Sequence, residues 1–543
     1  MSESLPDSVD VVVLGTGLVE SIIAAACSRT GLSVLHLDRN KFYGGNWASF
    51  NLSTINDWVE QQKKSPETEV DTSKYQHELA EGEFLVGLGT RKTVRNVRQQ
   101  WLPARHVFDQ KLIYFRYHCV IISVSFSDSM MTIDKGDNID QKTIREALET
   151  EWRRFSIDLV PKVLLARGSM VQTLCDSEVA KYAEFKCVDR FLCLRDGKEK
   201  KLSYSRVPCS KGDIFQDDTL NVVDKRRLMK FMTYCLEWNN KAEELEGWKE
   251  YQDDPFEKFL ESQEITGELR NYIADAIGIL HPNATTKEGL TAVCRFVDSV
   301  GRFGPSPFLI SLYGSGEIPQ CFCRLCAVFG GLYCLGRPVE ALIQKDNRVV
   351  GVVADGHRIN TSHLIMSSEY VPSTVLTNGE EKWIDRAVYI TNKSIWAEEK
   401  EHVTLLNLFQ LDPLSALRLI EEGFEVCTAP KGFYLLHLTG RKNSEKSIIP
   451  EISERIFDES DGDRPTPCWS LHFELLTSAS ALSLENAVCV PGPDHALDYA
   501  SSIDEAQRVF SMFWPDRDFL PRSLPKPEEE EDVIEENPIE QVA

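Results

Sequence analysis

The sequence has no long uninterrupted hydrophobic run. Its longest apolar stretches are soon broken by Glu20, by Arg324 or by pairs of glycines, whereas a membrane-spanning helix needs about 20 consecutive apolar residues. Residues 1–10 are acidic and contain no lysine or arginine, so they lack the basic and then apolar order of a signal peptide. We therefore predict no integral membrane segment and expect the chain to stay in the cytosol.

Basic residues and catalytic motifs are also scarce. The chain has 60 lysines and arginines against 84 aspartates and glutamates, a formal net charge of -24 at pH 7. This excess repels phosphate backbones over roughly 8 to 10 Å at physiological salt, which excludes nucleic acid as a partner. There is no GxSxG, HExxH or P-loop motif, and the 11 histidines are scattered, so the motifs supply no catalytic residue.

The cysteines do not form a disulfide framework. Their number, 15, is odd, and they are spread over a long chain, which indicates reduced thiols acting as small buried hydrophobes. Cys321, Cys323, Cys326 and Cys334 are close enough in sequence to suggest a metal site. On a helix, however, Cys321 lies well away from the face that Cys323 and Cys326 share, so we predict no metal ion there.

The N-terminal segment has the pattern of a dinucleotide-binding βαβ unit. An apolar run ends in Gly15-Thr16-Gly17, a helix-like stretch follows, and a second apolar run ends in Asp38. In FAD- and NAD(P)-binding Rossmann-like domains the glycines admit the pyrophosphate at the helix N-terminus, and the acid binds the ribose. Gly15, Gly17 and Asp38 therefore form a candidate nucleotide-binding turn.

Glu20 stands where this fingerprint requires its third glycine. That glycine lets the helix pack closely on the strand, and a carboxylate beside a diphosphate adds repulsion between like charges. Two interpretations follow: a site for FAD, or a vestigial turn inherited from a flavoprotein scaffold. We favour the vestigial turn and expect no cofactor, which makes a FAD-dependent oxidoreductase the least favoured function.

A helical segment interrupts the α/β pattern. Leu228, Phe231 and Cys235 recur at helical spacing, and Thr285 with Glu288 forms a capping box. Strands are predicted at 11–14, 32–37, 120–126, 185–194, 349–354, 434–439, 469–475 and 487–490. The predicted units are a discontinuous flavoprotein-like α/β domain at 1–208 and 301–520, an elaborated insertion at 51–150 within it, a small all-helical domain at 209–300 and an acidic disordered tail at 521–543.

A second well-marked helix is predicted late in the chain. Pro319 fits its first turn and Gly330 ends it. Glu317 and Arg324 lie seven residues apart, about two helical turns, so they project from nearly the same face. They are either a polar recognition patch or a solvated surface pair worth under about 1 kcal/mol, and spacing alone favours the solvated pair.

Four separated segments together resemble the superfamily of Rab GDP-dissociation inhibitors and Rab escort proteins. They are VVVLGTGLVES at 11–21, LHLDRNKFYGGNW at 35–47, FSIDLVPKVLLARGSMV at 155–171 and GRFGPSPFLISLYGSGEIPQCFCRLCAVFGGLYCL at 301–335. The resemblance spans most of 8–520 and is weakest in 51–150. It implies a flavoprotein-like α/β domain with a small helical domain, and a nucleotide turn that the family does not use in catalysis.

The resemblance also implies roles for particular residues. By their motifs, Tyr43, Glu317 and Arg324 look like the platform that binds the GDP form of Rab GTPases. Phe215 and Arg226 resemble the contacts of an escort protein with the α subunit of the α/β Rab geranylgeranyltransferase. Without the resemblance, Phe215 would be an ordinary core aromatic and Arg226 one of a solvated basic run. The family's helical domain shelters geranylgeranyl lipid, so apolar residues of 228–300 would line or gate that groove.

Two functions within the superfamily remain open. An escort protein presents new Rab GTPases for prenylation and then delivers them transiently to membranes, whereas a GDP-dissociation inhibitor recycles Rabs that are already prenylated. The extra length of the chain, the Phe215 segment at 207–231 and the cysteines around Arg324 resemble escort proteins more. We predict a non-catalytic escort protein, with the inhibitor as the alternative.

Overall fold

The computed structural model describes most of the chain. The residues described are 5–64, 70–102, 141–195, 202–245, 247–281, 283–371, 381–396, 398, 400, 402–457, 464–478 and 482–522. The strand predicted at 120–126 and the tail from 523 onward lie outside these ranges. Within them, no helix is both long and apolar enough to cross a membrane.

Runs of strands and runs of α-helices follow one another along the described part of the chain. The strands are β1 (Ser8–Leu14), β2 (Val34–Asp38), β3 (Ser49–Phe50), β4 (Phe84–Gly87), β5 (Val94–Trp101), β6 (Ile157–Asp158), β7 (Leu164–Leu165), β8 (Phe185–Cys187), β9 (Arg190–Leu194), β10 (Tyr204–Arg206), β11 (Phe308–Ser311), β12 (Leu332–Leu335), β13 (Val339–Lys345), β14 (Arg348–Ala354), β15 (His357–Ser367), β16 (Trp383–Thr391), β17 (Thr404–Asn407), β18 (Arg418–Glu422), β19 (Tyr434–Arg441), β20 (Pro467–Leu476) and β21 (Ala487–Val490). The helices are α1 (Leu18–Arg29), α2 (Leu52–Lys64), α3 (Gln141–Thr150), α4 (Ser169–Asp176), α5 (Lys211–Gln216), α6 (Val222–Lys241), α7 (Phe256–Ser262), α8 (Gly267–Arg270), α9 (Thr286–Ser299), α10 (Glu317–Val328), α11 (Ile449–Ile456) and α12 (Ala500–Phe513).

The first sheet is the Rossmann-like layer. Its order is β12-β2-β1-β15-β14-β13-β4, and β21 also pairs with β15. The pairs among β12, β2, β1, β15 and β21 are parallel, while β14, β13 and β4 continue the sheet antiparallel. Val11–Leu14 is buried on both faces, which is why this run is continuously apolar. The strands predicted at 11–14 and 32–37 are confirmed as β1 and β2.

A second large sheet takes its strands from segments that are interleaved along the chain with those of the first. Its order is β10-β9-β17-β18-β19-β16-β20-β5, and every residue of its central strand β16 is buried. Two small sheets complete the fold: β7-β11-β8 and the pair β3-β6. The strands predicted within 185–194 are confirmed as β8, which joins the small sheet, and β9, which joins the second sheet after the buried Val188.

Helices α5 to α9 lie between β10 and β11 in the chain. The predicted capping box is confirmed, since Thr285 and Glu288 cap the start of α9. Leu228 and Phe231 of α6 share one apolar cluster with Phe191 of β9 and Leu405 of β17. The helices therefore pack directly onto the second sheet, and the proposed domain boundaries at 208 and 300 stay a prediction.

Candidate functional site

The turn after β1 has the geometry of a nucleotide-binding loop, but its acid is used internally. Gly15 has a φ of +97°, and a Cβ there would lie 2.9 Å from the Ser367 hydroxyl, so only glycine suits the position. The buried Asp38 carboxylate accepts hydrogen bonds from Thr16 N at 2.9 Å, Thr16 Oγ1 at 2.6 Å and Asn40 N at 2.7 Å. Its lone pairs therefore hold the turn and are not directed toward a ribose.

Glu20 fills the place that a cofactor diphosphate would need. Its carboxylate folds back over Gly17, where an added Cβ would overlap it, and Glu20 Oε2 is buried without a hydrogen-bond partner. Burial raises the pKa of Glu20 to about 8, with further raising contributions from Glu369 and Asp38. The cavity bordered by Gly17, Glu20 and Trp47 measures about 20 Å³, room for a water or two. These residues do not fit FAD.

Glu317 and Arg324 lie on helix α10, as their spacing predicted. Arg324 is exposed, and its guanidinium lies 4.4 Å from the centroid of the Tyr182 ring, a cation-π contact that limits its rotamers. Glu317 begins the helix and is half-buried. Burial, and after it the nearby Asp158, raises the pKa of Glu317.

Tyr43 lies in the loop that follows β2, near the same helix. The Tyr43 side chain is half-buried, and its ring centroid lies 6.3 Å from that of Tyr333 on β12. Burial raises the pKa of Tyr43, and Cys323 makes the next contribution. Because Cys323 immediately precedes Arg324 on α10, the structure brings Tyr43 close to the middle of that helix. Whether the three residues bind a GTPase stays a prediction.

The cysteines of α10 point to different neighbours. The Cys321 thiol donates to the carbonyl of Tyr182 at 3.5 Å, whereas Cys323 Sγ lies 3.2 Å from the Ser21 hydroxyl. Both are buried. Across the described part of the chain, no group of three histidine, cysteine or acidic side chains is arranged to hold a metal ion.

Phe215 and Arg226 share one exposed corner of the helical segment. Phe215 is 67% exposed, so it is not the core aromatic of the alternative interpretation. Lys225, next to Arg226, donates from Nζ to the carbonyl of Phe215 at 2.9 Å. Arg226 is exposed one turn into α6, whose N-cap Asn221 accepts two backbone hydrogen bonds from that helix.

Two valines extend this corner and were missed by the sequence analysis. Val222 and Val223 are 66% and 55% exposed. They precede Arg226 by four and three residues on α6, so all three share one helix face. The signal was present in the sequence, because at 100° per residue both valines lie off the apolar stripe that Leu228, Phe231 and Cys235 share. We call Phe215, Val222, Val223 and Arg226 the α5–α6 corner.

The helical segment also borders a cavity of about 250 Å³. It lies beside a π-helical stretch, Asn271–Ile277, a rare form that is frequent at functional sites. Leu228, Phe231 and Cys235 belong to the closed core instead and do not line it. Its lining is Phe256, Glu257, Arg270, Asn271, Ala274, Asp275, Leu280, His281, Ala284, Phe409, Gln410 and Pro413.

The fold and the filled turn define a class: a Rossmann-like α/β protein that occupies its own cofactor site with side chains. The solved structure of Rab GDI from Plasmodium falciparum has this fold, with a TM-score of 0.67 at 19% identity over 94% of this chain and 99% of that one. A family model described as GDP dissociation inhibitor matches residues 5–96 and 127–443. The chain belongs to the GDP dissociation inhibitor family.

Two curated relatives differ in how much of the chain they share. Rab proteins geranylgeranyltransferase component A 1 of Caenorhabditis elegans is 46% identical over 535 residues, 97% of this chain and 97% of the relative. Rab GDP dissociation inhibitor beta of Rattus norvegicus is 26% identical over 68% of this chain and 65% of its own length. The family assignment made from the four motifs is confirmed.

Proposed function

We propose that this protein is a Rab escort protein, the accessory component that presents Rab GTPases to Rab geranylgeranyltransferase. The observation that carries the proposal is the 46% identity, over 97% of both chains, with a relative named as component A of that enzyme. The exposed α5–α6 corner supports it, because an aromatic side chain beside an arginine is the usual composition of an interface hot spot.

The proposed mechanism involves no chemistry by this chain. Tyr43, Glu317 and Arg324 bind the GDP form of the Rab, and the α5–α6 corner docks the α subunit of the prenyltransferase. The enzyme then transfers the lipid, and this protein holds the product in the cytosol until transient delivery to a membrane. The internal use of Asp38 and Glu20 supports a non-catalytic role, since side chains fill the nucleotide-binding turn after β1.

The lipid contact is proposed for the helical segment. The lining of the cavity beside the π-helical stretch combines the apolar side chains of Phe256, Leu280 and Phe409 with polar ones that include Arg270 and Asp275. Burying isoprenoid carbons against such apolar side chains yields about 25 cal/mol per Å² of apolar surface removed from water. Opening of this cavity would let the chain shield a tail that is otherwise insoluble.

A GDP-dissociation inhibitor that recycles prenylated Rabs is the second candidate. It is favoured by the family model and by the rat relative named Rab GDP dissociation inhibitor beta. That relative shares only 68% of this chain, against 97% for the component A relative. A GDP-dissociation inhibitor also does not act together with the prenyltransferase, so it does not need the α5–α6 corner as a docking surface.

Rab geranylgeranylation tests the proposal directly. Purified prenyltransferase, a GDP-loaded Rab and labelled geranylgeranyl diphosphate are combined with and without this protein, and lipid incorporation into the Rab is measured. We expect incorporation only when this protein is present. Absence of stimulation, together with extraction of prenylated Rab from membranes, would replace the escort function with that of an inhibitor.

A further inference from the structure

Two short strands, β3 and β6, pair close to the segments that carry the proposed Rab platform. Ser49 of β3 lies opposite Asp158 of β6, and the Ser49 hydroxyl donates a short hydrogen bond to Asp158 Oδ1. Asp158 is only 1% exposed, so its carboxylate must be satisfied by protein donors. Ser49 follows Tyr43 by six residues along the chain. This pair therefore anchors the segment that carries Tyr43.

The same two side chains also hold the start of helix α10. The backbone N–H of Ser315 donates to Asp158 Oδ2 at 2.8 Å, and the N–H of Gly316 donates to the Ser49 hydroxyl at 2.8 Å. Gly316 immediately precedes Glu317, the first residue of the helix. Two side chains thus satisfy two backbone donors that a helix start otherwise leaves free.

Close packing leaves this arrangement little room to shift. Gly314 has a φ of +101°, and a Cβ on it would lie 2.5 Å from Asp158 Oδ1 and 2.7 Å from Ser49 Oγ. The main-chain carbonyl of Asp158 accepts a 3.3 Å hydrogen bond from Nη2 of Arg386, a fully buried residue of β16. The pair is therefore fixed to the centre of the second sheet.

We infer that Ser49 and Asp158 are positioning residues that lock the Tyr43 segment and the start of α10 into one arrangement. The inference rests on the proposed function, because the platform they align is the proposed Rab site. Neither side chain needs to touch the GTPase. Their effect is to remove, before binding, the ordering cost that two independently moving segments would pay on association.

Ser49→Ala in the full chain tests the lock, with Ser53→Ala as the matched control. Ser53 is exposed on α2, four residues further along. Hydrogen exchange followed by mass spectrometry is expected to accelerate in peptides covering 313–320 for Ser49→Ala only. Titration calorimetry with a GDP-loaded Rab is expected to give about tenfold weaker binding, the size of one lost hydrogen bond to a charged group. Unchanged exchange in that segment would overturn the inference.

A double-mutant cycle between Ser49→Ala and Arg324→Ala separates positioning from general destabilisation. If Ser49 positions the platform, the two substitutions are coupled. The loss of Rab affinity caused by Arg324→Ala should then be at least about threefold smaller in the Ser49→Ala protein than in the wild type, because Arg324 is no longer held in place there. If the losses of binding free energy from the two substitutions simply add, the inference is overturned, whether or not Ser49→Ala also lowers the melting temperature. A wild-type protein that binds no Rab would defeat the proposed function instead, while hydrogen exchange still decides on the lock.

Discussion

The side-chain ammonium of Lys225 donates a 2.9 Å hydrogen bond to the main-chain carbonyl of Phe215. The bond joins the end of α5 to the first turn of α6, and Ser210 with Asp213 closes the other end of α5 in a capping box. A six-residue helix is too short to be stable alone. These contacts therefore hold Phe215 outward on a defined surface beside Arg226.

Phe215→Ala should weaken binding to the prenyltransferase by about 2 kcal/mol or more, because an exposed aromatic that is buried in a partner pocket is a typical hot spot. Titration calorimetry between this protein and the enzyme measures the loss. Phe303→Ala is the matched control, since Phe303 is also exposed, at 53%, but lies outside the corner. Equal affinity of the Phe215 variant and the wild type would remove Phe215 from the interface.

Val223→Ser should weaken the same complex by a smaller amount, about 0.5 to 1 kcal/mol, because only part of a valine surface is lost. The free protein should keep its melting temperature, since this side chain is more than half exposed at the start of α6. Calorimetry with the prenyltransferase gives the affinity. A loss as large as that of Phe215→Ala would mean that the valines, and not the phenylalanine, form the centre of the contact.

Arg324→Ala should weaken binding to a GDP-loaded Rab at least about tenfold, because a charge-assisted hydrogen bond to the partner is lost. The guanidinium is exposed and stacks only on Tyr182 among the contacts described, so thermal unfolding should change little. Arg508→Ala, which removes an exposed arginine paired with Glu505 on α12, is the control. Full Rab affinity in the Arg324 variant would contradict the platform assignment.

Local sequence patterns were sufficient for the elements that depend on neighbours in the chain. The βαβ unit, the capping box at Thr285 and the helix that carries Arg324 all follow from spacing, capping residues and glycines. The conflict between Glu20 and a diphosphate also follows from the sequence alone, because the position of Glu20 relative to Gly17 is fixed within one helical turn.

Contacts between distant segments could not be predicted in this way. The half-burial of Glu317 depends on its tertiary surroundings, which include Asp158, more than 150 residues earlier. The stacking of Arg324 on Tyr182 and the change of sheet at Val188 are likewise decided by packing that no single-sequence periodicity records. For the same reason no sequence pattern indicated a role for the Ser49 hydroxyl, which belongs to a two-residue strand.

Glu20→Gln should make the protein more stable near pH 8 and leave it unchanged below about pH 4.5. Burial raises the pKa of Glu20 from 4.5 to about 8 in the folded chain, so the folded state binds this proton more tightly than the unfolded state does. Between these two values the wild type loses stability as pH rises, by about 1 to 4 kcal/mol in total. Glutamine keeps the shape of the neutral acid and removes this loss. Urea unfolding of both proteins from pH 5 to 8.5 measures this difference, and Glu451→Gln, at an exposed position of α11, is the control. A difference in stability that stays constant across this pH range would show that Glu20 is already ionised in the folded protein.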